Sequence, residues 1–151
     1  MWAFDVLAEE GFAFDSSLFP VRHDNYGIPG AAPHPGRIQS PSGQSIVEFP
    51  LSTVSVPGLR LPIAGGGYFR ILPYALSKWG LASVNRSQGV PFVFYLHPWE
   101  IDPQQPRIAV RWKSRFRHYT NLDRCKARLV RLLEAFQFSS MATVLEHQKL
   151  L

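Results

Sequence analysis

Apolar and polar positions change their period several times along the chain, and each change marks a predicted element. Trp2, Val6 and Glu9 lie one turn apart, and Gly11 stands where a helix stops. Residues 2–10 are therefore expected to be the end of a helix, so that the chain begins part-way into a fold. Residues 12–14 read as a short strand that ends on Asp15-Ser16-Ser17. A segment rich in Gly, Pro and Asn follows over residues 20–43, and a loop of that length in a compact domain is usually functional or disordered. Alternation returns over residues 46–56, broken by Pro50 and closed by the turn Pro57-Gly58, which predicts one or two strands with residues 59–63 returning as a hairpin partner.

Gly65-Gly66-Gly67 reads as a tight turn leading into Tyr68-Phe69-Arg70. Residues 74–84 then take helical spacing through Leu76, Trp79, Ala82 and Ser83, with Pro73 placed for the first turn. The nearly continuous apolar run at residues 90–96 predicts a buried central strand that delivers His97 to its carboxyl end. Asn121 is the predicted N-cap of a helix whose buried face carries Leu122, Cys125, Leu129, Leu132, Leu133 and Phe136, while Arg124, Lys126, Arg128 and Arg131 point to solvent. Residues 142–145 are expected to form a last short strand, and residues 146–151 a frayed tail.

Composition narrows the class. With 151 residues, 46% hydrophobic and 18% charged, the chain is one folded domain, too apolar for disorder. Its longest apolar run, at residues 90–96, contains Pro91 and is far short of the about 20 residues a spanning helix needs, so no membrane span is expected. The amino terminus lacks the basic start, apolar run and small-residue cleavage site of an export signal, which predicts a cytoplasmic protein. Cys125 is the only cysteine, which excludes an internal disulfide and a cysteine-based zinc site. The net charge of +5 is concentrated: between Arg107 and Arg131 nine Lys and Arg residues are opposed by Asp123 alone. Such a stripe is a solvated face or a surface for phosphates or anionic polysaccharide. Trp112, Phe116 and Tyr119 interleave with it, but no nucleic-acid-binding motif accompanies them, so nucleic acid is not the expected partner.

The strongest candidate for chemistry is His97 in His97-Pro98-Trp99-Glu100, because polar groups at the carboxyl ends of α/β strands face the crevice where ligands bind. Its imidazole titrates near neutral pH and suits proton donation to a leaving group, although a histidine tied to a neighbouring loop fits the residues alone equally well. Trp99 offers a flat face for a sugar ring or for packing. Arg22-His23-Asp24 and Tyr26, in the long loop, could grip a carboxylate, a sugar hydroxyl or a metal. The five histidines, at 23, 34, 97, 118 and 147, include no pair three to five residues apart, so a local metal site is not expected. The triple glycine permits close backbone approach but lacks a nucleotide-binding pattern, and no GxSxG elbow is present.

Several segments agree in order and spacing with one family: Gly11-Phe12-Ala13-Phe14-Asp15-Ser16-Ser17, Arg22-His23-Asp24-Asn25-Tyr26-Gly27, Glu48-Phe49-Pro50, Gly65-Gly66-Gly67-Tyr68-Phe69-Arg70, Phe94-Tyr95-Leu96-His97-Pro98-Trp99-Glu100 and Phe116-Arg117-His118-Tyr119-Thr120-Asn121. Together they resemble the NodB-type polysaccharide deacetylases associated with exopolysaccharide and exosortase gene clusters. The resemblance implies an α/β fold, the carboxyl-terminal and incomplete portion of a distorted (β/α) barrel, over residues 1–145. It implies hydrolysis of acetyl groups on a polysaccharide by a divalent, zinc-like ion held by one Asp and two His, with another Asp as base and a late histidine as acid. His97 matches that late histidine, and Arg22, His23, Tyr26, Gly66, Gly67, Tyr68 and Trp99 fall in the substrate-side loops.

No Asp-Asp pair ends an early strand and no His-Ser/Thr-x-x-His occurs, so the metal ligands are expected from a missing amino-terminal half, with no metal held by this chain and no turnover by it alone. An unclosed barrel would also favour self-association. The alternative from another class is a non-catalytic module that binds anionic polysaccharide through the basic stripe.

Overall fold

A computed structural model describes residues 2–23, 26–40, 42–87 and 89–151. The fold is mixed α/β with two small sheets and six helices among the described residues, which form no closed barrel. Helix α1 (Trp2–Glu9) ends as its spacing predicts, with Gly11 at φ 79° and the Phe12 N–H donating to the Leu7 carbonyl. In the first sheet β1 (Phe14–Asp15) pairs parallel with β3 (Ser45–Glu48), and β2 (Gly36–Gln39) pairs antiparallel with β3 on its other side. Strand β2 lies within the segment expected to be loop: its four residues are too short to show a period, and only the long-range ladder to β3 makes them a strand. The second sheet is the predicted hairpin, β4 (Thr53–Val56) with β5 (Leu59–Pro62), turning on Pro57 and on Gly58 at φ 75°.

Helix α2 (Gly66–Ile71) leads through Pro73 into α3 (Tyr74–Ser87), and a 3-10 turn (Pro98–Ile101) follows the apolar run. Residues 90–96 are not the predicted ladder strand: their one bridge pairs Tyr95 with Gly65 in parallel, and only Val93 is fully buried. The run is apolar because it divides two cores. Phe92, Phe94 and Leu96 pack on a cluster of Val54, Ile63, Phe69, Leu81, Val84, Cys125 and Leu132, whereas Val93 faces Val47, Phe49 and Leu145. Two-sided burial alone gives the pattern of a central strand, and here Ser52 Oγ takes the Val93 N–H at 2.7 Å in place of a strand neighbour.

Helix α4 (Trp112–Tyr119) buries none of its residues, whereas α5 (Leu122–Ala135) buries Leu122, Cys125 and Leu132. Three details of α5 differ from the sequence reading. Leu133 is 52% exposed, and Arg128 turns inward to donate to the carbonyls of Phe69, Arg70 and Leu72. Asn121, at the N-cap position, is left-handed at φ 54° and sends its amide to the Arg70 carbonyl at 2.8 Å instead of capping α5. The expected last strand is helix α6 (Met141–His147), whose N-cap Ser140 accepts the Thr143 N–H at 3.2 Å. A short apolar run fits either element by period, and the cap decides it. At the tail the Leu150 N–H donates to the Leu145 carbonyl, and Arg37 donates to the Leu150 carbonyl at 2.7 Å. Among the described residues no helix is long and apolar enough to cross a membrane.

Candidate functional site

A cleft of about 500 Å³ opens where α2, the turn after residue 96, helix α4 and the loop near residue 23 meet. Its floor depends on glycine. Gly65 has φ 129°, and a Cβ there would lie 1.9 Å from the Tyr95 carbonyl oxygen, so only glycine lets α2 start against this segment. The contact is fixed by the Tyr95 N–H on the Ala64 carbonyl at 2.8 Å and the Gly66 N–H on the Tyr95 carbonyl at 3.1 Å. The turn is thus not free-standing. It is one side of a docking between two backbones, and it presents Gly66, Gly67 and Tyr68 to the cleft.

Beneath the cleft lies a buried ion pair. Arg70 is 1% exposed and Glu100 0%, with Nε to Oε1 at 2.9 Å. The guanidinium also donates through Nη1 to the carbonyls of His118 and Thr120, and through Nη2 to that of Arg117, at 2.9–3.0 Å. These carbonyls end α4, where no further turn donates an N–H to them, so Arg70 both neutralises Glu100 and caps a helix. Glu100 closes the other side, its Oε2 accepting the His97 N–H at 3.0 Å. One buried pair therefore joins α2, the His97 turn and α4.

On this frame the side chains form two aromatic walls. His23 stacks on Tyr26 at 3.8 Å, and the Tyr26 and Tyr68 hydroxyls are 3.2 Å apart. Burial, then the Tyr26 hydroxyl, push the Tyr68 phenol well above its usual range, with the Arg117 charge opposing. On the other side Trp99 stacks on His118 at 4.1 Å with Arg70 5.0 Å from its ring, and His118 Nε2 meets Gln105 Oε1 at 2.9 Å. His97 is exposed, its ring parallel to Trp99 at 6.0 Å, so its imidazole is open to the cleft while its backbone is held.

The structure brings His97, His23, Tyr26, Gly66, Gly67, Tyr68 and Trp99 into one cleft, and it leaves Arg22 out. Arg22 lines a separate groove with Val21, Leu59 and Arg60. Asp24 lies outside the described residues. The sequence reading missed Arg70, Tyr95, Glu100, Ser114, Arg117 and His118, which also line the cleft. For all but Ser114 the signal was present in the motif segments containing them, but the Arg70–Glu100 pairing spans 30 residues and follows no local period.

The described cleft side chains offer no ready set of ligands for a divalent ion. Among the described residues no three His, Cys, Asp or Glu side chains converge, Glu100 is saturated by Arg70 and the His97 N–H, and His23 and His118 are stacked on aromatic rings.

Fold and site together define a mixed α/β domain with an aromatic-walled cleft on a buried Arg–Glu pair. Residues 16–146 match the family described as a domain of unknown function (DUF3473), and the chain belongs to that family. No curated protein and no solved structure matches it.

Proposed function

We propose that this chain forms the sugar-side wall of a polysaccharide deacetylase and supplies its proton donor, His97. The observation that carries the reading is the convergence on one cleft of His97 with His23, Tyr26, Gly66, Gly67 and Tyr68, from segments far apart along the chain. The DUF3473 family is associated with polysaccharide deacetylases, which agrees with it. The parallel β1–β3 pairing and the parallel Gly65–Tyr95 bridge agree with the proposed origin as the carboxyl-terminal portion of a (β/α) barrel.

In this reading an acetylated sugar lies between the two aromatic walls, and His97 protonates the departing nitrogen or oxygen as the bond to the acetyl carbon breaks. General acid catalysis of this kind contributes about 10²–10⁴ in rate. Glu100 positions the group without touching substrate, since it holds the His97 backbone. In this reading the metal ligands and the general base come from a partner segment, the amino-terminal half of the deacetylase.

Acetate release from acetylated oligosaccharides by the protein joined to that half tests the reading. His97→Ala should lower kcat by about 10²–10⁴ with KM little changed. Unchanged turnover in the variant would contradict it, and glycan binding without any acetate release from the intact protein would favour a binding module instead.

A further inference from the structure

The cleft has an unbalanced charge. Among the described residues Glu100 is its only carboxylate, and both oxygens are engaged, Oε1 with Arg70 at 2.9 Å and Oε2 with the His97 N–H at 3.0 Å. Arg70 is engaged in turn by Glu100 and by three backbone carbonyls. Arg117 differs from it. Its carbonyl is fixed by Arg70 at 2.9 Å, yet its side chain is exposed, lines the cleft and has no carboxylate within 4.0 Å among the described residues.

Its surroundings reinforce that charge. No acidic residue occurs between Asp102 and Asp123, and Arg107, Arg111, Lys113 and Arg115 in that stretch are all exposed. Helical spacing sets Ser114, Arg117 and His118 on the side of α4 that lines the cleft, with Trp112 and Phe116 on the opposite side. Arg107 and Arg115 line a second groove rather than this cleft; a field of one sign along this stretch still raises the local concentration of oppositely charged ligands, and the Arg117 guanidinium in the cleft offers paired N–H donors matched to a carboxylate.

We infer that the cleft takes an acidic glycan, a chain bearing uronic-acid carboxylates, with Arg117 as its carboxylate subsite. This rests on the cleft being the sugar site. The aromatic walls bind ring faces and hydroxyls of any glycan, and Arg117 selects the charged one. Tyr68 and Arg117 line the same cleft, so the carboxylate contact and the tyrosine wall serve the same bound chain.

Calorimetry on the intact protein with an oligogalacturonate and with an N-acetylchitooligosaccharide of equal length tests this. The acidic chain should bind about tenfold tighter at low salt, as a charge-assisted hydrogen bond allows. Arg117→Gln should remove that preference, leave the neutral chain bound as before and leave the thermal midpoint unchanged, and Arg117→Lys should keep part of the preference. Equal affinities in the wild type, a preference that survives Arg117→Gln, or binding of neither glycan would overturn the inference. Acidic preference without acetate release would instead break the deacetylase reading and leave this one standing; acetate release without acidic preference would do the reverse.

Discussion

Two buried glutamates sit in opposite circumstances. Glu100 is 0% exposed and every oxygen is matched, one by the Arg70 guanidinium and one by a backbone N–H. Glu48 is 3% exposed at the end of β3; its Oε1 accepts the Leu18 N–H at 2.8 Å, its Oε2 has no hydrogen-bond partner among the described residues, and its cross-strand neighbour is Asp15. Burial pushes the Glu48 carboxyl up to about 7, the Leu18 N–H pulls against that, and Asp15 adds to the rise. The difference lies in what each burial accomplishes. The paired carboxylate joins three elements around the cleft, whereas the unpaired one makes the first sheet sensitive to protonation.

The largest expected effect comes from breaking the paired side. Arg70→Met strands Glu100 in the core and frees the α4 carbonyls, and unfolding in urea should show a loss of about 3–5 kcal/mol. Joining it to Glu100→Leu should restore part of that, because the stranded charge is then gone. A single variant as stable as the wild type would mean the pair does not hold the cleft together. Leu132→Ala, in the apolar core below, should cost about 2–5 kcal/mol and sharpens the comparison as a loss with no charge in it. Its cost should be the same at pH 5 and pH 8.

The unpaired side predicts a smaller effect that depends on pH. The folded value for Glu48, about 7, lies above the ordinary 4.5, so the stability its neutral form supports is complete below the ordinary value and is lost as pH rises through about 7. Glu48→Gln should therefore flatten the stability profile and exceed the wild type at pH 8 by roughly 1–3 kcal/mol. A variant whose profile parallels the wild type between pH 5 and 8 would show that Glu48 is not the group responsible. His97→Ala, at an exposed side chain, should change stability least, within about 0.5 kcal/mol by thermal unfolding.

The same contrast divides what could be read from the sequence. Helices α1, α3 and α5 and the β4–β5 hairpin were legible because period, stop signals and turn residues act locally. Strand β2 and the bridge at Tyr95 exist only through distant partners, and α6 was decided by Ser140, not by its apolar run. The motif segments gave His97, Arg22, His23, Tyr26, Gly66, Gly67, Tyr68 and Trp99 as site residues, and all of them except Arg22 line one cleft. What stayed hidden is the frame. Arg128 was placed in solvent by its charge, although three carbonyls at the end of α2 draw it in, and nothing in the local pattern announces that Arg70 meets Glu100.

The central claim is that sugar occupies the cleft between the Tyr26–Tyr68 wall and His97. Its most direct measurement is a titration of the isotopically labelled protein with an acetylated oligosaccharide, followed by side-chain NMR signals of the tyrosines and histidines. The account predicts that Tyr26, Tyr68, His97 and the Arg117 guanidinium shift together along one saturable curve, while Tyr74, His34 and His147, which do not line the cleft, stay fixed. Shifts confined to residues outside the cleft, or saturable binding that leaves the His97 signals in place, would contradict it.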